Sequence, residues 1–143
     1  MFFMSEKIDD NEQQFLEAWK DDSNGCREIY RQLKSLLQES SGVDLQFNPR
    51  PGITYSLRAK HEKQTERELF VMVDVIDDDP KDRWLSVCFF KDMISDPGEK
   101  GDFVPEGLLG HDAHCFDLDN DDPAECEYVK ERIREAFAAA SGF

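Results

Sequence analysis

Two apolar runs, Glu68-Leu-Phe-Val-Met-Val-Asp-Val-Ile76 and Arg83-Trp-Leu-Ser-Val-Cys-Phe-Phe90, are joined by the acidic turn Asp77-Asp-Asp-Pro-Lys-Asp82. Both are short and rich in β-branched and aromatic residues, the composition of paired strands. Alternation puts Leu69, Val71, Val73 and Val75 on one face of the first run, and Phe70, Met72 and Ile76 on the other. In the second, Trp84, Cys88 and Phe90 oppose Leu85, Val87 and Phe89. Both faces are therefore apolar. An antiparallel sheet usually hides one face only, so the second needs a cover, expected from the N-terminal helices and otherwise from another subunit.

Upstream, Val43, Leu45 and Phe47 alternate with polar residues, and so do Ile53, Tyr55, Leu57 and Ala59. The stiff turn Asn48-Pro-Arg-Pro-Gly52 separates these two strands, and the polar His61–Arg67 stretch reads as a hairpin loop. Before them the period is helical. Ile8, Phe15, Leu16 and Trp19 share a face over residues 9–20, and Cys26, Ile29, Tyr30, Leu33, Leu36 and Leu37 do so over 24–40. Asp21-Asp-Ser-Asn-Gly25 breaks the first helix and supplies caps for the second, which Gly42 follows. Downstream, the turn residues Asp96-Pro-Gly98, Gly101, Pro105 and Gly107 read as a loop over 91–113, with one helical turn at Lys91–Ser95. His114, Phe116 and Leu118 suggest a last strand at 114–118. Asp122, Pro123 and Glu125 then start a closing helix with the apolar stripe Cys126, Val129, Ile133, Ala136, Phe137 and Ala140. The expected fold is α+β: two N-terminal helices, an antiparallel sheet of about five strands, and a C-terminal helix packed on the sheet.

The 143 residues fit one domain, 1–143, in which residues 1–42 are helical, residues 43–118 form the sheet and residues 119–141 hold the C-terminal helix. At 39% hydrophobic the chain fills a core without disulfide, metal or cofactor. Its net charge of −15 repels nucleic acids and anionic membranes. That charge is uneven: residues 1–26 carry −5, residues 27–67 carry +3 and residues 68–143 carry −13. The basic middle (Arg27, Arg31, Lys34, Arg50, Arg58, Lys60, Lys63, Arg67) either packs against its acidic neighbours or forms an anion-binding or bipolar surface. Met1-Phe-Phe-Met4 is too short for a signal peptide, and no stretch reaches the roughly 20 apolar residues of a membrane span. The expectation is a cytoplasmic protein whose four cysteines (Cys26, Cys88, Cys115, Cys126) are reduced.

His111-Asp-Ala-His-Cys115 is the densest set of potential metal ligands, with Cys126 eleven residues on. In a strand His114 and Cys115 point to opposite faces, so no metal site is assigned. Asp117-Leu-Asp-Asn-Asp-Asp122 lacks the glycine and the final glutamate of a calcium loop. Catalytic elbows and phosphate-binding glycine loops are absent, and Tyr55 lies on the strand face opposite Arg58 and Lys60, a poor nucleic-acid platform. The remaining small-molecule candidates are Arg58, His111 and His114 beside the 91–113 loop.

The motifs Ile53-Thr-Tyr-Ser-Leu-Arg58, Asp96-Pro97, Gly110-His111, Phe116-Asp-Leu118, Tyr128-Val129 and Ile133-Arg-Glu-Ala-Phe137 fall in one order over about residues 40–140. This pattern resembles a bacterial family of uncharacterised domains described as predicted transport proteins. The chain has Asp112 where that pattern has an aromatic. The resemblance implies an accessory role and carries no catalytic residues. The functional expectation is a non-enzymatic protein that binds an unknown protein partner, as a monomer or homodimer. The alternative is a small enzyme or ligand-binding domain using Arg58, His111 and His114.

Overall fold

The computed structural model describes residues 10–142; the Met1–Met4 stretch and Ile8 lie outside them. Helices α1 (Asp10–Ala18) and α2 (Cys26–Glu39) precede the strands β1 (Val43–Arg50), β2 (Thr54–His61), β3 (Val71–Ile76), β4 (Trp84–Phe90), β5 (Asp102–Leu108) and β6 (His111–Leu118). Helix α3 (Pro123–Ser141) closes the chain. The α+β class holds. The sheet is antiparallel with order β1-β2-β3-β4-β6-β5.

The loop signals at the helix ends act as expected. Asp22 Oδ1 accepts the Arg27 amide at 2.7 Å and Asn24 Oδ1 the Cys26 amide at 3.0 Å, which satisfies two donors that the first turn of α2 leaves free. Asp122 caps α3 through the Ala124 amide, Pro123 follows it, and Gly142 ends the helix at φ +95°.

Between Phe90 and Ala113 the structure departs from the expected loop. A 3-10 turn at Lys91–Met93 leads into a sixth strand, β5, and β6 begins at His111 rather than His114. Pro105, Glu106 and Gly107 fall in a register shift between Val104 and Leu108, so the residues that signal a loop are absorbed in an edge-strand irregularity. The hairpin closes through Leu109 (φ +50°) and Gly110 (φ +84°), flanked by the Leu108–His111 pair. Positive φ at both central positions matches the right-handed twist of the strands, although Leu109 lacks the freedom of glycine. β5 therefore lies outermost, and β6 returns between it and β4.

All three helices pack on one sheet face. Phe15, Trp19, Ile29, Tyr30, Leu33 and Leu37 meet Leu57, Val73, Val75, Leu85, Val87, Phe89 and Phe116 there, and α3 adds Val129, Ile133 and Ala136. The expectation that the N-terminal helices cover the second face is thus corrected. One end of that face holds a small buried cluster of Leu69, Cys88, Phe90, Leu108 and Ala113, joined by Met93 of the 3-10 turn but by no α-helix of the described residues. Leu69 and Phe70 also trade the faces expected of them: Leu69 joins the small cluster, and Phe70 the main core. The strand starts only at Val71, and the chain bends before it. There Gln64 Nε2 donates to the Leu69 carbonyl, and the Phe70 amide to that of Ala59.

A second correction concerns the cysteines. Cys88 and Cys115 face each other in register on β4 and β6, Cα atoms 4.1 Å apart, and form a disulfide. They stand 27 positions apart in the sequence, and the β4–β6 neighbourhood brings them together. Cys26 and Cys126 are free and buried. Burial, then the carboxylates of Asp22, Asp119 and Asp82, push the Cys26 thiol up to about 12.

Candidate functional site

The uncovered sheet face is a grid set by strand register. Ser56, Asp74 and Ser86 stand side by side across β2, β3 and β4, and Asp117 extends the row on β6. The next row runs Gln46, Arg58, Met72, Cys88, Cys115 and Asp102 from one sheet edge to the other. Thr54, Ile76 and Trp84 flank the Asp74 row on its other side. Trp84, Ile76 and Met72 are all half-buried. Burial pushes the Asp74 carboxyl up, against Ser56, Arg58 and Arg50, which pull it down. Its Oδ1 is buried without a hydrogen-bond partner.

Of the three residues singled out in the sequence, Arg58 lies on this face one strand in from the β1 edge, with Nε 3.4 Å from Ser56 Oγ. His111 is on the same face but further along the sheet, on β6. β2 and β6 are three strand spacings apart, about 14 Å. His114 points to the helix side, opposite Phe89 of the main core. The structure does not bring the three together.

His111 instead lines a hollow of about 290 Å³ with Arg67, Lys91, Asp92 and Asp112. Phe90 organises it. The Arg67 guanidinium lies 4.3 Å over the Phe90 ring, and the His111 ring meets it edge-on at 5.6 Å. Arg67 also grips Asp92 with both nitrogens, at 2.5 and 2.9 Å, which holds the Asp92 carboxyl below its usual value.

His114 belongs to a polar knot that sequence patterns do not show. Its Nε2 lies 2.8 Å from Asp96 Oδ2, and the Tyr128 hydroxyl of α3 donates to Asp96 Oδ1. The amides of Lys100 and Gly101 donate to the same carboxylate at 3.0 and 2.9 Å. Burial alone raises the Asp96 carboxyl, but these donors together more than offset it and hold it well below the usual carboxylate range. An ionised carboxylate only accepts, so His114 Nε2 carries the proton. A carboxylate–imidazole pair can orient a general base, but the nearby Ser95 hydroxyl is committed to Glu135 at 2.6 Å. The chemistry that fits is clamping: the 94–101 segment is tied to β6 and α3. Asp96-Pro97-Gly98 announces the turn, but its partners lie 18 and 32 residues on and carry no local signal.

His61, a conceivable base, is buried at the end of β2; its Nδ1 accepts the Lys63 amide at 3.1 Å and its ring meets Phe137. Among the described residues no group of three or more His, Cys, Asp or Glu could hold a metal ion. No helix among them is long and apolar enough to cross a membrane.

Comparison with protein-family models, with curated proteins and with solved structures finds no match in any of the three.

The basic middle of the chain is partly neutralised within the fold. Lys34 pairs with Glu12 at 2.8 Å and Arg67 with Asp92. Carboxylates converge at the other extreme. The α1–α2, β3–β4 and β6–α3 connections meet around Cys26, which senses Asp22, Asp82 and Asp119 together. Like charges this close oppose folding, and salt screens them. Raising ionic strength from ~0.01 M to ~0.1 M shortens the screening length from about 30 Å to about 10 Å. The expected result is a thermal midpoint higher by about 4 °C, read by circular dichroism. A flat or falling midpoint would show that the attractive pairs outweigh the acidic pole.

Proposed function

We propose that this is a non-enzymatic accessory protein of the cytoplasm that binds a protein partner through the uncovered face of its sheet. The observation that carries the reading is one-sided packing: three helices serve one face, while Met72, Ile76 and Trp84 stay half-buried on the other. Tryptophan on an uncovered surface is the side chain most enriched at the energetic centres of interfaces. Around it Arg50, Arg58 and Asp74 on one side, and Asp117 on the other, supply charges that select a partner rather than bind any apolar surface.

The test places a photo-crosslinking phenylalanine analogue at position 84, and as control at the exposed Glu131 of α3, in cells that make the protein. A discrete adduct from position 84 and none from 131 is expected. No adduct at 84, or the same adducts at both, overturns the reading.

The hollow at His111 favours a second reading, a small-ligand site built from Arg67, Lys91 and His111. Movement of the His111 ring resonances with millimolar phosphate supports it, and fixed resonances retire it.

A further inference from the structure

We infer that Cys88–Cys115 is a reversible thiol–disulfide exchange site that takes a cationic or uncharged thiol in preference to an anionic one. Five observations converge on it, and none depends on the face having a protein partner.

The bond is redundant as a staple. β4 and β6 share six register pairs, from Leu85–Leu118 to Phe90–Ala113, so the strands stay paired when the sulfurs separate. The bond lies on the face that no α-helix of the described residues covers, at the margin of the small buried cluster and with Met72 beside it, whereas the other two thiols lie in the helix-side core. Cys26 and Cys126 are buried, and burial raises both thiols, so neither supplies a thiolate to scramble the pair.

The two sulfurs are not equivalent. Cys88 is 7% exposed and Cys115 is half-buried, so Cys115 is the more accessible residue and the proposed point of attack. The Ser86 hydroxyl is 3.6 Å from Cys88 Sγ, placed to donate a hydrogen bond to it as a leaving thiolate. In the exchange the incoming thiolate bonds to Cys115 Sγ as the Sγ–Sγ bond breaks. The electron pair leaves on Cys88, which takes a proton from water. A second thiol then attacks the external sulfur of the mixed disulfide and releases Cys115. The protein gains two electrons and the two thiols lose them, ending as their own disulfide.

Selectivity comes from charge. Asp102 stands opposite Cys115 across β5, and Asp117 lies two residues along β6 on the same face. The two carboxylates sense each other, as groups sharing one corner of the sheet must. At about 6 Å through solvent, two carboxylates slow an anionic thiol relative to a cationic one by roughly fortyfold at ~0.01 M salt, and ~1 M salt cuts this to about twofold.

The test is native exchange with 2-aminoethanethiol, 2-mercaptoethanol and 3-mercaptopropionate, with rates compared per thiolate and products mapped by peptide mass spectrometry. The expected order is cationic, neutral, anionic. The spread should be roughly fortyfold at ~0.01 M salt, about twofold at ~1 M salt, and about sevenfold in Asp102→Asn at ~0.01 M salt. The first mixed disulfide should sit on Cys115, and dithiothreitol followed by alkylation should label Cys88 and Cys115 only. The reduced protein should still unfold cooperatively and reoxidise. Should Asp102→Asn fail to fold, Asp117→Asn serves in its place. A pair that cannot be oxidised, resists reduction until the protein unfolds, or unfolds it when reduced overturns the proposal. So does a first adduct on Cys88, or an absent charge order.

Discussion

Replacing Asp96 by alanine should destabilise the protein by about 3 kcal/mol, read as a lowered urea midpoint with an unchanged slope. The size follows from what the carboxylate holds. Its side chain is only 12% exposed, and it accepts from Tyr128, His114 and two backbone amides of the 94–101 segment. Removal orphans these donors in a place where water replaces them incompletely, which costs more than the bonds' net worth. Asparagine keeps the shape but turns one acceptor into a donor, so Asp96→Asn should recover less than half the loss. The pH dependence provides a separate check. Asp96 is held below its unfolded value, so the folded state binds fewer protons there. Its contribution is complete above the unfolded carboxyl range, about pH 4, and fades as pH falls towards the folded value. The gap between wild type and Asp96→Ala should therefore narrow below about pH 4. A gap independent of pH would mean that the segment is held by packing rather than by the carboxylate.

Phe89→Ala should cost about 4 kcal/mol, while Trp84→Ala, five residues away on the same strand, should cost about 1 kcal/mol. Phe89 is fully buried, on a central strand, with its ring edge-on to Phe116 at 5.9 Å. Its removal leaves a cavity between sheet and helices that close-packed neighbours cannot refill. Trp84 loses contacts on one side only, because water already touches the other. The comparison, made by urea unfolding of both variants, tests the sidedness on which the proposed function rests. Equal losses would mean that the Trp84 face is covered after all.

Some of this architecture is legible in the chain. Period-3.6 stripes mark all three helices, because a helix that packs on a sheet must keep one apolar face. Asp122-Pro123 and Gly142 mark the ends of α3 because free amides and a left-handed terminus demand those residue types. Alternation puts Leu85, Val87 and Phe89 on one side of their strand, and they lie together in the main core. Alternation cannot say which face the helices choose. It also cannot show a bend, so Leu69 and Phe70 exchange faces where the ladder is interrupted.

The candidate site is less legible. Arg58, His111 and His114 stand out by residue type alone, and strand order separates them across β2 and β6 and across two faces. What the sequence by itself determined is local: helix periods, caps, strand alternation and an acidic chain, all consequences of backbone geometry and solvation along a few residues. Tertiary structure decided the rest: β6 inserted between β4 and β5, helices on a single face, Asp96 joined to His114 and Tyr128, and Cys88 opposite Cys115. The side-chain pairings among these span 18 residues or more, and their energy depends on which strands become neighbours, a choice made by the whole core at once.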